Sequence, residues 1–251
     1  MKTTGSTILI TGGTSGIGRA LAEALHDRGN RVIVTGRRQA LLDEIAAAYP
    51  GITGIQADLS DPADLDRLAA TVRERFPDLN IVFANAGISR GEDVTSDDWT
   101  TDDAEAMVAT NIVGTMRLAA ALLPHLRRQA DASFVATTSN LGFVPLASYP
   151  AYSATKAFLH SWLQSLRHQL RGTSVEVLEL SPPYVQTELS GPAQATDPHA
   201  MPLDAFITEV VAILERGDHP DGEVLVAHDR RVRTAERDGH YAEVFASMNP
   251  A

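Results

Sequence analysis

Two residues four apart, Tyr152 and Lys156 in the stretch Tyr149-Pro-Ala-Tyr-Ser-Ala-Thr-Lys-Ala-Phe158, have the types and spacing for acid–base chemistry. On a helix they share one face, with about 5–6 Å between their Cβ atoms. A phenol titrates near pH ~10 and is a sluggish proton donor at neutrality. An ammonium beside it favours the phenolate and lowers that value. Such a pair could deliver a proton to an oxygen that gains charge during a reaction. Tyr149 has no lysine at this spacing. The pairing is common by chance, so its meaning depends on the elements that position it.

Those elements alternate. Apolar, β-rich runs occupy Thr7–Ile10, Arg31–Thr35, Ile52–Gln56, Ile81–Ala84, Ser133–Thr137, Val175–Leu180 and Glu223–Ala227. Helical patterns lie between them, at Ile17–Arg28, Ala63–Phe76, Ala104–Gln129 and Ser153–Arg171. Strands of continuous apolar character separated by helices predict an α/β fold whose parallel sheet is covered on both faces. No linker, internal repeat or low-complexity block interrupts the chain, which predicts one domain over residues 1–251. A domain of this length buries roughly 70–75% of its unfolded surface.

The formal charge of −11 argues against general nucleic-acid or anionic-membrane binding, which rely on basic surfaces. The absence of cysteine excludes disulfides and thiolate chemistry and fits a reducing compartment. No uninterrupted apolar run reaches the ~18 residues of a membrane span. The N-terminal stretch lacks an apolar signal core, so a cytoplasmic protein is expected. The eight histidines show no ligand spacing, and no metal is expected.

The first strand runs into Thr11-Gly-Gly-Thr-Ser-Gly-Ile-Gly18 and then a good helix. Glycines there permit a tight turn and close backbone approach, and a helix N-terminus attracts a pyrophosphate. The spacing Gly12-x3-Gly16-x-Gly18 differs from G-x-G-x-x-G, and a Walker loop fails because Arg19-Ala20 stands where Lys-Ser/Thr is needed.

This turn, followed in order by Ala84-Asn-Ala-Gly87, Asn111, Ser139 and Tyr152-x3-Lys156, resembles the short-chain dehydrogenase/reductase family in its compact single-domain form. The similarity runs from about Thr7 to Thr187. It implies a Rossmann-type, doubly wound fold with a seven-stranded parallel sheet and a nicotinamide dinucleotide as hydride carrier. Gly12, Thr14, Ser15, Gly16, Ile17 and Gly18 would form the cofactor turn.

In Rossmann-type sites an acid after the second strand holds the ribose 2′-OH, whereas an Arg accommodates a 2′-phosphate. Gly36 stands where NAD users of the family carry the acid, and Arg37 and Arg38 follow. An arginine offers phosphate a bidentate charged fork, so NADP(H) is the expected cofactor. Ser15 occupies a position that is basic in many NADP users. By the resemblance, Asp58 would bind the adenine amino group, Leu59 would cover the ring, and Asn85, Ala86 and Gly87 would tie strands together and admit the cofactor. Ala84 departs from the family's asparagine.

The same resemblance makes Tyr152 the proton donor, with Lys156 lowering its pKa and gripping the nicotinamide ribose. Ser139, just past the strand Ser133–Thr137, would orient the substrate oxygen. Asn111 would support a water that links Lys156 to solvent. Pro182, Val185 and Thr187 match the turn that meets the nicotinamide, with Pro183 replacing the usual glycine and stiffening the loop.

A substrate pocket is expected from Leu141, Phe143, Tyr149, Tyr184, Gln186 and Leu189, with Val144, Leu146 and Met201 nearby. This lining suits a hydrophobic or aryl ketone or aldehyde. Residues of about 188–205 would form the substrate loop, with 190–202 a lid or a plain surface loop. The tail Arg233–Asn249 reads as helical. The resemblance also implies a homotetramer or dimer. Two other readings are a non-catalytic NADP-sensing regulatory or scaffold protein, which would not need the acid, and a reductase of C=N or activated C=C bonds.

Overall fold

Along each strand, alternate side chains enter two separate cores. Ile8 and Ile10 pack with Val32, Val34, Ile81 and Phe83 on one side, and Leu9, Ile33, Val82 and Phe134 pack on the other. That period of two, with both faces apolar, is what a sheet covered by helices on each side requires. A computed structural model describes residues 1–250. Its seven strands are β1 (Thr7–Thr11), β2 (Arg31–Gly36), β3 (Thr53–Gln56), β4 (Leu79–Ala84), β5 (Ala132–Thr137), β6 (Val175–Ser181) and β7 (Glu223–Leu225). They form one parallel sheet of order β3-β2-β1-β4-β5-β6-β7.

Helices α1 (Gly16–His26), α2 (Gln39–Ala48) and α7 (Leu203–Arg216) cover one face of the sheet. On the other lie α3 (Pro62–Arg75), α5 (Thr115–Leu126) and α6 (Pro150–Gln169). α3 starts at Asp61, whose carboxylate accepts from the Ala63 amide, with Pro62 in the first turn. The chain runs outward from β1 to β3, then returns to the far side of β1 to lay down β4. That reversal opens a crevice beyond the C-terminal ends of β1 and β4.

The expected helix over Ala104–Gln129 is three pieces in line: α4 (Asp102–Met107), a π-helical turn (Val108–Gly114) and α5. Together, Asp102–Leu126 spans 25 residues and holds an 18-residue window of mean hydropathy 1.5, long and apolar enough to cross a membrane by length and composition. Polar Asn111 and Arg117 interrupt this stretch, so no unbroken apolar run announces it. Its Leu118, Leu122 and Leu126 are buried against the sheet.

The tail is not one helix. α8 (Arg230–Thr234) and α9 (Tyr241–Met248) are separated by a turn in which Gly239 takes φ +76°, a conformation that ends a helix. Val244 of α9 buries against Val144 and Ala235, whereas Tyr241 and Phe245 stack on each other at the surface. Asn249 then accepts from the Ala147 amide at 2.5 Å and donates to the Pro145 carbonyl at 3.1 Å, which fixes the chain just ahead of α6. The helix α7 begins inside the loop expected over about 188–205.

Candidate active site

The turn after β1 lies against the turn after β4. Gly12 has φ +66°, and a Cβ there would stand 2.8 Å from the Ala86 Cα, so the two backbones touch. Thr11 Oγ1 accepts from the amides of Asn85 (3.0 Å) and Ala86 (3.1 Å), and Asn85 Nδ2 donates to the Thr11 carbonyl at 3.1 Å. Thr137 donates to Asn85 Oδ1 at 3.2 Å, so one side chain ties β1, β4 and β5 together. Gly18 is required because any side chain would strike the Gly12 carbonyl and the Asn85 amide.

Ser15 holds the N-cap position of α1, yet its hydroxyl caps no amide. The first-turn N–H groups are therefore left for an anion, at the positive end of the helix dipole. Arg19 pairs with Glu23 and Glu44, each at 2.8 Å, and takes no part in the turn. Gly36 has a physical reason the sequence did not show: a Cβ would lie 2.7 Å from Thr14 Cγ2, because Thr14 covers it. Arg37 and Arg38 follow, both exposed. The Arg37 guanidinium comes no nearer than 4.0 Å to Asp58, whose other oxygen accepts from the amide (2.9 Å) and hydroxyl (2.7 Å) of Ser60.

A cleft of about 490 Å³ runs from this glycine turn, past Arg37, Asp58 and Leu59, to Ser139, Tyr152 and Lys156. Ile17, Gly87, Pro182, Val185, Thr187 and Leu189 also line it. Its size is that of a small-molecule or cofactor site. Thr187 overhangs the turn, 3.4 Å from where a Cβ on Gly16 would stand.

At the far end, β5 finishes at Thr137 and Ser139 follows as the cap of a 3₁₀ turn, Asn140–Gly142. Ser139, Tyr152 and Lys156 are each less than 10% exposed. The Lys156 ammonium donates to the Thr137 carbonyl at 2.8 Å and lies 5.5 Å from the Tyr152 ring centroid. Burial pushes the Tyr152 phenol up to about 12, with the Ser139 hydroxyl pulling it down. Burial likewise takes Lys156 down to about 8, while the charge of Glu179 raises it. The expected depression of the phenol is not what this environment gives: removal from water outweighs the pull of the Ser139 hydroxyl.

Asn111 sits inside the π-helical turn, 1% exposed, and does not line the cleft. Its Oδ1 accepts from the Ile88 amide at 2.9 Å, and its Nδ2 donates to the Ile88 carbonyl (3.0 Å) and Thr155 Oγ1 (3.2 Å). It braces the segment after Gly87 against α6; a π-helical turn re-aims a side chain in this way.

Of the six residues expected to line a substrate pocket, Leu189 borders the cleft and the other five lie outside it. The 3₁₀ turn after Ser139 presses Gly142 onto the backbone of α6, where a Cβ would stand 2.9 Å from the Lys156 carbonyl carbon. Leu141 is held in that turn, its amide on Ser139 Oγ. Phe143 emerges beyond it, its ring 4.9 Å from His160 and 4.8 Å below the Arg233 guanidinium, in a second cavity. Tyr184 donates to Asp197, and the Gln186 amide donates to the Asp197 carbonyl, so both brace the loop. Tyr149 lies beside Gly91 at the start of α6. Val144 belongs to the core under the tail, and Met201 packs below the sheet.

Gln194 was not singled out from the sequence. It is 7% exposed and donates to the Val185 carbonyl (2.8 Å) and Thr187 Oγ1 (3.2 Å), while accepting from the Ser190 amide (2.8 Å). Nothing in its polar, Ala/Pro-rich neighbourhood marks it. Equally invisible is the gathering of His160, Glu179 and Glu223, whose ligating atoms lie within 4.8 Å of one another. Arg233 holds both oxygens of Glu223 at 2.7 Å, so a positive charge already sits beside this trio.

The model of the short chain dehydrogenases matches residues 6–198, and the chain belongs to the short-chain dehydrogenase/reductase family of oxidoreductases. An uncharacterized oxidoreductase of Bacillus subtilis (strain 168), DltE, is 43% identical over 253 residues, covering 99% of this chain and 98% of that protein. Among solved structures, a short chain dehydrogenase from Burkholderia cenocepacia in complex with NADP superimposes with TM-score 0.83 at 24% identity, covering 97% of this chain and 99% of that one. One from Burkholderia phymatum in complex with NAD gives TM-score 0.83 at 22% identity, covering 100% and 98%. These two likenesses are of fold.

Proposed function

We propose that the protein is an NADPH-dependent reductase that converts a hydrophobic or aryl ketone or aldehyde to the alcohol, reversibly. The observation that carries this reading is the burial of Ser139, Tyr152 and Lys156 together at one end of a cleft whose other end is an uncapped glycine-turn helix. The open amides of α1 and the close backbones around Gly12 fit a dinucleotide pyrophosphate. When bound, the reduced nicotinamide supplies the hydride that the carbonyl carbon accepts.

Ser139 would hold the substrate oxygen by a hydrogen bond. Tyr152 gives that oxygen its phenolic proton, and the former C=O π pair becomes the new O–H bond. Lys156 holds positive charge beside the phenolate left behind, which regains its proton from solvent. A phenol pushed up to about 12 is fully protonated at neutral pH, the state that reduction needs.

The fold alone does not choose the dinucleotide, since one neighbour was solved with NADP and another with NAD. Gly36, with no acid and no room for one, and the exposed Arg37 favour the 2′-phosphate. Leu189 and Ile88 give the substrate end apolar surface, which favours a hydrophobic carbonyl. Exposed Val108, Met116 and Phe158, on the helices around the site, support a dimer or tetramer. A cysteine-free chain suits the cytoplasm.

Oxidation of NADPH and NADH is to be followed against aryl ketones, keto esters, aldehydes and cyclic imines, with Tyr152→Phe alongside. NADPH turnover on carbonyls that falls about 10²–10⁴-fold in Tyr152→Phe is expected. Undiminished turnover in that variant sinks the mechanism. Better turnover with NADH overturns the reading of Gly36 and Arg37, and preference for the imines overturns the carbonyl assignment.

A further inference from the structure

Glu179 stands in the middle of a buried strand, wholly inaccessible, between Leu178 and Leu180. It is in register with Ala136 of β5 and Glu223 of β7. A carboxylate inside a core is costly unless it is paired, and like charges on neighbouring strands repel. Here each glutamate has its own partners. Glu223 is held by Arg233, and Glu179 Oε2 lies 2.8 Å from His160 Nδ1. The remaining oxygen of Glu179 accepts from Thr138 Oγ1 at 2.8 Å. Thr138 lies between Thr137, whose carbonyl receives the Lys156 ammonium, and Ser139. Lys156 and His160 are one helical turn apart on α6.

We propose that Glu179 is a positioning residue of the catalytic centre: its carboxylate anchors the strand end that carries Ser139 and supplies the buried negative charge that keeps Lys156 cationic. The use of that charge in turnover rests on the reductase reading, whereas its effect on Lys156 is measurable without turnover. Desolvation can drive a fully buried lysine as low as about 5–6. Lys156, only 4% exposed, falls to about 8, and Glu179 is the group that raises it. The charged and titratable groups facing Glu179 are His160 and Lys156 from α6, Glu223 from β7 and Arg233 from α8; Thr138 faces it from the end of β5. A lysine titrating near 8 is about nine-tenths charged at pH 7, and one titrating near 7 is about half charged.

The chain has two lysines, Lys2 and Lys156, so protein labelled with ¹³C at the lysine Cε position gives two signals. Their shifts against pH give each midpoint, with exposed Lys2 as the internal reference. For the wild type, a Lys156 midpoint near 8 is expected. Glu179→Gln keeps an acceptor for Thr138 but removes the charge, and should move the midpoint down by about one pH unit or more. Glu179→Asp, which keeps the charge, should restore most of the shift. In NADPH-dependent reduction, Glu179→Gln should be about five-fold slower than wild type at pH 8 and nearly equal at pH 6. A wild-type midpoint near 6 overturns the role, and needs no variant to fold. So does an unmoved midpoint in a folded Glu179→Gln protein. A wild type that turns over no carbonyl sinks the reductase reading alone and leaves the titration result standing.

Discussion

Asp229 gives the sharpest stability prediction. It is fully buried, its Oδ2 accepts from Ser181 at 3.2 Å, and its Oδ1 has no partner. Burial pushes the carboxyl up to about 7, with Ser181 and Asn140 pulling it down. An aspartate in the unfolded chain titrates near about 3.9. The native state therefore holds a proton that the unfolded state has lost throughout the window between these values. Stability contributed by the protonated group is fully present below about pH 4 and is lost as pH rises through about 7. Between pH 4 and pH 8 this amounts to roughly 4 kcal/mol. Asp229→Asn mimics the protonated form and removes the pH dependence. Its new amide also lacks a partner beside Oδ1, a cost of about 1–3 kcal/mol that does not vary with pH. The informative quantity is therefore the change with pH in the difference between variant and wild type, from urea unfolding at pH 5, 6, 7 and 8 with linear extrapolation. Relative to wild type, Asp229→Asn should gain more than about 2 kcal/mol from pH 5 to pH 8. A difference that stays constant across the series refutes the buried-acid argument.

Three further outcomes follow from the site. Arg37→Ala should raise the KM for NADPH about ten-fold or more and leave that for NADH nearly unchanged; equal effects on both would remove Arg37 from phosphate recognition. Asn111→Leu strands the amide and carbonyl of Ile88, so unfolding experiments should show a loss of about 2–4 kcal/mol, together with a fall in kcat. Alcohol oxidation needs the phenolate, so with Tyr152 near 12 its rate should climb with pH beyond 9 while carbonyl reduction does not. An oxidation profile already flat at pH 8 would place the phenol below its ordinary value, as a neighbouring ammonium would hold it.

The strands could be read from the sequence because both faces of the sheet are covered, which makes runs such as Ile8–Ile10 and Val32–Val34 continuously apolar. The glycine turn and the Ser139, Tyr152 and Lys156 set were legible because backbone proximity and proton transfer each restrict residue type. What sequence spacing does not report is which way a loop turns. Gly142 lies flat on α6, and Phe143 just beyond it packs on His160, one turn along the helix in a second cavity and away from the cleft. Burial depth is equally hidden. Tyr152 and Lys156 have the spacing of a mutually tuned pair, but their distance from water sets the direction of both shifts. Glu179 and Glu223 become neighbours only through the β6–β7 register, and Gln194 becomes a clasp only once Val185 and Thr187 fold over it.

The clamp made by Asn249 bears on how this scaffold can be recombined. The family match stops at residue 198, yet residue 249 holds Pro145 and Ala147, a few positions before Tyr152. A chimera joined at that boundary would import a foreign tail and, with it, a different tether on the entrance to the helix that bears the proton donor. Changes in substrate range after such a graft would then reflect altered seating of Tyr152 as well as new loop chemistry. Laboratory evolution that varies only the loop beyond Thr187 would leave half of that adjustable geometry unexplored.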